Sequence, residues 1–279
     1  MKLSFSTNAF TGYTAAEAVR KIAGIGYAGV ELLADVPHLF MDDLDLKMIE
    51  DVRRAVEETG IEVSNINANT VRGYYGYGPF WDPLLEPSLS SSDEPARAWR
   101  IEYTKRCVDL ARELDCRNVS VTSGHIYPGS TPEEATARLK ASLSEIALYA
   151  EENGVRIGVE YEPGLLIEYS SELRALIDTI PSACIGANLD LGHSHCVGED
   201  PEAVFERLCD RVFHVHLEDI KGRVHYHLIP GLGDMDFAKL FGLHRKYNYD
   251  GFITVELYTY SEEPEDAARK AYEYLERLL

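Results

Sequence analysis

The stretch FHVHLED, residues 213–219, alternates two histidines with apolar side chains and ends in two acids. Alternation at period two is the signature of a strand, so His214 and His216 face the same side of one sheet. A single histidine in that setting is most often a hydrogen-bonded core residue, and only its company raises it to chemistry. Three other short apolar runs end in ionisable side chains: VEYEPG carries Glu160 and Glu162, NLDLGHSHC carries Asp190, His193 and His195, and TVEL carries Glu256. Ionised carboxylates in strand interiors are costly without a cation. Acids and an imidazole converging on one rim repel one another unless positive charge lies between them, and a divalent metal supplies it most simply. A ligand set rich in oxygen, with one imidazole and no thiolate, suits Mn²⁺, Mg²⁺, Co²⁺ or Fe²⁺ and is compatible with Zn²⁺. A salt-bridge network is the structural alternative.

The elements that must position these residues recur along the chain. Strand-like runs occur at 2–7, 29–33, 62–68, 118–124, 156–162, 185–191, 212–218 and 252–258. Amphipathic segments such as TAAEAVRKIAGIG, LKMIEDVRRAVEETG and PEEATARLKASLSEIALYAEENG lie between them, with Ser, Thr or Asp caps or early prolines at their starts and glycines at their ends. Eight strands alternating with helices suggest a parallel sheet, and eight such units suggest a closed (β/α)₈ barrel. Such barrels commonly use about 250 residues, so residues 1–279 are expected to form one domain. An open doubly wound sheet is the alternative, without support from a GxGxxG after the first strand or a GxxxxGK[ST] anywhere. Catalytic residues of barrels sit at the C-terminal ends of strands, where Glu160 and Glu162, then Asp190, His193 and His195, then His216, then Glu256 fall. The longest expected loop follows the third strand, at about 71–99, and holds Tyr74, Tyr75, Tyr77, Phe80 and Trp81. Its aromatic content favours a lid or subunit contact over disorder.

Composition narrows the partners. Hydrophobic residues make up 45% and charged residues 27%, the balance of a globular protein with ample core. The formal net charge of −20 repels phosphate backbones and anionic lipid, so neither nucleic acid nor membrane is expected as a partner. The five cysteines are irregularly spaced and read as reduced thiols. The opening MKLSFSTNAFTGY lacks an apolar core of signal-peptide length and no long apolar run follows, so a cytoplasmic protein is the default expectation.

Read in order, VEYEP, NLDLGH, HVHLED with PGLGDMDF, and ITVELY resemble the xylose-isomerase-like TIM-barrel superfamily, which includes sugar isomerases and epimerases and the apurinic endonucleases. The opening KLSFSTNAF…AVRKIAGIGYAGVELL resembles its first βαβ unit, so the likeness covers almost the whole chain. The resemblance implies that Glu160, Asp190, His216 and Glu256 are the four metal ligands of a ketose-epimerase-type site, with Mn²⁺ placed first. It gives His193 a substrate oxygen and, by approximate spacing, gives Arg223 a substrate contact; Glu162, Asn67 and His125 join as substrate-binding candidates. Glu162 could replace Glu160, because alternation points both the same way. His214 is read as a core residue or a partner of His216, Asp219 as orienting neighbours, and Glu218 as solvated.

The reaction implied is epimerisation or isomerisation of a sugar or sugar phosphate through a metal-held enediolate, with Glu160 and Glu256 exchanging the proton. Dehydration of a keto-sugar or inosose could use the same intermediate. A phosphate would call on Arg72, Lys221 or Arg223. The rival rests on surplus histidines: His125, His193, His225 and His227 resemble extra ligands of the three-zinc endonuclease branch and would make a multimetal phosphoester hydrolase. His225 stands where that branch has an aspartate, and Asn65 and Asn67 where it has a histidine. Barrels of this type often pair, so a homo-oligomer is a candidate partner arrangement; the sequence itself does not specify the oligomeric state.

Overall fold

The computed structural model describes residues 1–76 and 85–279. Eight parallel strands pair in chain order into a closed barrel: β1 (Lys2–Ser6), β2 (Gly29–Leu33), β3 (Glu62–Asn67), β4 (Asn118–Thr122), β5 (Arg156–Glu160), β6 (Ile185–Asp190), β7 (Val212–Leu217) and β8 (Phe252–Val255). Closure comes from β1 on β8, with Lys2 opposite Phe252 and Phe5 opposite Val255. Around the barrel run α1 (Ala15–Ile25), α2 (Leu46–Thr59), α3 (Glu94–Glu113), α4 (Pro132–Asn153), α5 (Ser170–Asp178), α6 (Leu191–Val197), α7 (Pro201–Leu208), α8 (Phe237–Lys246) and α9 (Pro264–Leu275).

The expected caps explain where these helices start. Thr14 and Glu17 form a capping box on α1, and Thr131 and Glu134 form another on α4. Outward-facing strand residues such as Phe5, Val30, Leu32, Val119, Val121, Val159, Leu189 and Val215 meet buried helix residues including Val19, Ile22, Val52, Leu110, Leu143 and Ile146. That annulus of apolar contact is the main core.

Inside the barrel the side chains are polar and stacked in layers. Ser4 meets Ser64 at 2.7 Å, and Thr254 meets His214 Nε2 at 2.8 Å. Above them lie Glu31, Asn65, Asn67, Asn188 and His216, all buried. Strand register shifts between Val30 and Glu31 and between Ala187 and Asn188. Each shift falls just before a polar side chain that enters the barrel, as irregularities that re-aim a side chain do.

The loop expected at 71–99 is shorter than its sequence suggested. Residues Arg72–Tyr75 form a single 3₁₀ turn, and α3 already begins at Glu94, capped by Asp93 and started by Pro95. The Asp-Glu-Pro start signal was present within a stretch read as loop. Asp35 anchors the loop's beginning by accepting from Thr70 Oγ1 at 2.7 Å, Arg72 N at 2.7 Å and Gly73 N at 2.9 Å. Tyr74 packs on Trp99 of α3, ring centroids 4.5 Å apart. Tyr77, Phe80 and Trp81, invoked for a lid, lie outside the described residues.

A second carboxylate organises the loop after β7. Asp219 accepts from the backbone N–H groups of Ile220 (2.9 Å), Gly231 (2.8 Å), Gly233 (2.8 Å) and Met235 (3.1 Å). A Cβ on Gly233 would collide with this carboxylate and with the Ile220 carbonyl, so the residue must be glycine. Asp219→Ala leaves four donors to rehydrate or stay unpaired; the expected cost is about 3 kcal/mol. Calorimetry should show the melting temperature fall by roughly 6–12 °C.

Candidate metal centre

Four ligand-capable atoms, one each from Glu160, Asp190, His216 and Glu256, lie within 4.8 Å of one another. They come from the ends of β5, β6 and β7 and the residue following β8, and all four residues are buried. His216 Nδ1 stands 3.1 Å from Glu160 Oε2 and 3.8 Å from Glu256 Oε2. Its other nitrogen lies 2.6 Å from Glu31 Oε2. The four groups fit a divalent cation: Asp190 Oδ2 is buried and finds no hydrogen-bond partner. The donor set of three carboxylates and one imidazole is that of hard or borderline ions.

The acids are held by amides. Glu160 Oε2 accepts from Asn69 Nδ2 at 2.7 Å and from Asn188 Nδ2. Glu256 Oε1 accepts from Asn8 Nδ2 at 2.7 Å and Asn67 Nδ2 at 3.1 Å. Each carboxylate therefore has one oxygen fixed by two amides and a second oxygen free of them. Asp190 Oδ1 accepts from His193 N at 2.7 Å at the start of α6.

Charge and burial compete throughout this cluster. Burial opposes ionisation of Asp190, yet His193, His227 and His216 outweigh it and hold the carboxyl down at about 2. Burial and the negative charges of Glu160, Glu31 and Asp190 push Glu256 up to about 8 despite His216. Desolvation disfavours a charged His216, but Glu31, Glu160 and Glu256 overcome it and raise the imidazole well above its ordinary value.

A cavity of about 430 Å³ opens above these residues, lined among others by Asn67, Arg72, His125, Glu160, Glu162, His193, His225, His227, Glu256 and Tyr258. Glu162 lies beyond the end of β5 and stands outside the group of four. It faces the cavity, with burial raising its carboxyl to about 7. Asn67 faces the cavity and braces Glu256. Arg223 is exposed in a turn after Gly222, against Gly198, and does not line the cavity; the turn carries it outward.

The surplus histidines divide. His193 Nε2 lies 3.0 Å from His225 Nε2, and His225 Nε2 lies 3.2 Å from His227 Nε2. Backbone carbonyls of Tyr161 and Glu256 hold the Nδ1 protons of His193 and His227. The Nε2 atoms therefore converge, a second group able to hold an ion. His125 lines the cavity but joins no such group among the described residues. His195 is partly buried on α6 and lines no part of the cavity.

Asn8 and Asn69, which brace Glu256 and Glu160, have no signal in the sequence reading, and three further residues of this region escape it. Glu31 and Asn188 lie in runs, GVELL and IGANLDL, that looked like plain core strands, and a polar residue among apolar neighbours was the available signal. Glu218, expected in solvent, is fully buried, with neither carboxylate oxygen hydrogen-bonded and a Cβ of Gly192 excluded beside it. Period two continued past His216 would have pointed it inward.

The sequence model for the xylose isomerase-like TIM barrel family matches residues 19–278. A fructoselysine 3-epimerase from Shigella flexneri is 28% identical over 267 residues, covering 94% of this chain and 92% of that protein. An inosose dehydratase from Geobacillus kaustophilus is 26% identical over 306 residues, covering 96% and 88%. Among solved structures, an IolI protein with a bound zinc atom superposes with a TM-score of 0.80 at 18% identity, covering 100% of this chain and 98% of that one, a likeness of fold.

Proton occupancy gives the centre a pH signature. With Glu256 raised from 4.5 to about 8 and His193 from 6.5 to about 9, the metal-free native chain keeps protons that the unfolded chain releases. The stability these groups contribute is full below the unfolded values and is lost as pH rises through about 8 and about 9. Chelator-treated protein should therefore lose melting temperature between pH 7 and pH 9. Added Mn²⁺ should restore it, with a larger gain at pH 8.5 than at pH 6, because protons compete for the same ligands. At a hundred times its Kd the ion adds about 2.7 kcal/mol, to be read by calorimetry with and without Mn²⁺.

Proposed function

We propose that this chain, which belongs to the xylose isomerase-like TIM barrel family, is a divalent-metal-dependent ketose epimerase in which Glu160 and Glu256 exchange one proton with the two faces of the sugar. The observation that carries the reading is the pair of cavity-lining carboxylates, each braced by two asparagine amides and each with its other oxygen free of them. A divalent ion bound by Glu160, Asp190, His216 and Glu256 supplies Lewis-acid polarisation of the ketose carbonyl and its neighbouring hydroxyl, with Mn²⁺ the first candidate.

One glutamate removes the proton from the carbon bearing that hydroxyl, leaving the sugar as an enediolate. The other returns a proton to the same carbon from the opposite face, and the roles reverse for the reverse reaction. Asn8, Asn67, Asn69 and Asn188 hold the two carboxylates in place between turnovers. His193, His225, Glu162 and Arg72 line the cavity within which the sugar's remaining hydroxyls must find donors and acceptors. Because a similar protein is a fructoselysine 3-epimerase, ketoses bearing an amine-linked substituent belong at the head of the substrate panel. The acidic lining favours them over sugar phosphates.

One observation supports a second reading. The converging Nε2 atoms of His193, His225 and His227 could take a further ion and serve a multimetal hydrolase of small phosphoesters. The −20 net charge weighs against DNA as its substrate. Elemental analysis of protein purified without chelators separates the two, with about one divalent ion per chain expected for the epimerase and two or three zinc ions for the hydrolase.

Incubation of ketoses in D₂O should give deuterium at the epimerised carbon. Glu160→Gln and Glu256→Gln should each lower kcat by roughly 10²–10⁴-fold. Turnover and metal binding unchanged in both variants would reject the assignment.

A further inference from the structure

Glu31 lies on β2, outside the four-residue group and outside the cavity lining. It is fully buried, and nothing in the proposed proton transfer uses it. Its Oε2 accepts from His216 Nε2 at 2.6 Å and from Asn65 Nδ2 at 2.8 Å, and His214 Nε2 stands 3.3 Å away. Its Oε1 accepts from Asn67 Nδ2 at 2.9 Å, and the same Asn67 amide reaches Glu256 Oε1 at 3.1 Å. An ionised carboxylate only accepts, so this hydrogen bond places a proton on His216 Nε2. In the neutral imidazole that a metal requires, the lone pair is thereby left on Nδ1, the nitrogen 3.1 Å from Glu160 and 3.2 Å from the Asn188 amide.

Among the four candidate ligands only the histidine depends on its tautomer. A carboxylate offers an oxygen lone pair whichever way it turns, whereas an imidazole with its proton on the metal-facing nitrogen offers none. We propose that Glu31 is the positioning residue that fixes His216 in its metal-binding tautomer and, through Asn67, sets the orientation of Glu256. The inference rests on the metal reading above. Glu31 touches neither sugar nor metal, and acts on both through other side chains.

Glu31→Gln keeps the side chain's length and one accepting oxygen but presents an amide donor where His216 Nε2–H points, or gives up the acceptor for Asn67. The full chain, stripped with chelator, should be titrated with Mn²⁺ by calorimetry, with circular dichroism and thermal melting reporting the fold. Glu31→Gln is expected to fold and to bind Mn²⁺ roughly 10–100-fold more weakly than the wild type. A folded variant whose Mn²⁺ affinity stays within about threefold of wild type overturns the proposal, because loss of packing alone would lower the melting temperature and leave that affinity in place. Should the variant not fold, histidine ¹⁵N spectra of the Zn²⁺-loaded wild-type protein decide. A proton on His216 Nε2 with the metal shift on Nδ1 supports the assignment, and the reverse pattern overturns it. If wild-type protein binds no Mn²⁺, the metal reading itself falls; if it binds Mn²⁺ and only the Glu31→Gln comparison fails, the role of Glu31 alone falls.

Discussion

Everything at the mouth of this barrel depends on the need to bury negative charge with imidazoles, and no described lysine or arginine contact, beside it. Glu31, Glu160, Asp190, Glu218 and Glu256 are all close to fully buried, and the hydrogen bonds and ion pairs described for them involve imidazoles, amides and backbone groups, with no lysine or arginine. Isolated carboxylates in such surroundings either take up protons or require a cation. Both responses are visible: Glu256 and Glu218 are pushed upward by burial, while Asp190 and Glu31 are held down by neighbouring histidines. The cluster has room for a divalent ion because its own positive charge is confined to protons on imidazoles, which an ion can displace.

The rest of the architecture serves that constraint. Asparagines from the interior of β3 and β6, and from the segments after β1 and β3, fix one oxygen of each catalytic candidate while leaving the other free. The register shifts before Glu31 and Asn188 turn those two side chains toward His216 and Glu160. Below them, the serine, threonine and His214 layer continues the polar interior. The polar groups thus form one connected network, and such networks specify a unique arrangement when most members are satisfied. The buried carboxylate oxygens without a hydrogen-bond partner at the centre, Asp190 Oδ2 and both oxygens of Glu218, mark where an additional positive group would be most strongly felt; the amide oxygens of Asn8, Asn65, Asn69 and Asn188 are also without partners.

The histidine trio shows how one local geometry serves two chemistries. With His193 and His227 committed to backbone carbonyls through Nδ1, their Nε2 atoms and that of His225 converge at the edge of the cavity. Three such nitrogens can bind sugar hydroxyls, which donate and accept, or a second ion, which only accepts. Asp219, by gathering four backbone N–H groups of the loop after β7, gives the segment carrying His225 and His227 a fixed shape for either use.

Period two and the position of acids at strand ends made the eight strands, the barrel and the rim that carries the chemistry legible, because strand alternation is local and writes itself directly into the sequence; the choice of Glu160, Asp190, His216 and Glu256 within that rim came from the family resemblance. The same rule, carried one step further, would have recovered Glu218. An acid within GVELL was as visible as the one within GVEYE, but no neighbouring motif drew attention to it. What only the tertiary structure decided is distance. Residues 31, 67, 160, 188, 216 and 256 meet because β1 closes on β8 and because two register shifts re-aim side chains, neither of which has a local sequence signal. Arg223 shows the converse: its spacing suggested a substrate contact, but a turn at Gly222 sends it to Gly198. The sequence by itself determined which side of each strand carries chemistry, since that follows from backbone geometry residue by residue. The closed barrel decided which of those side chains share a proton or an ion, since that depends on contacts between segments as far as 248 residues apart.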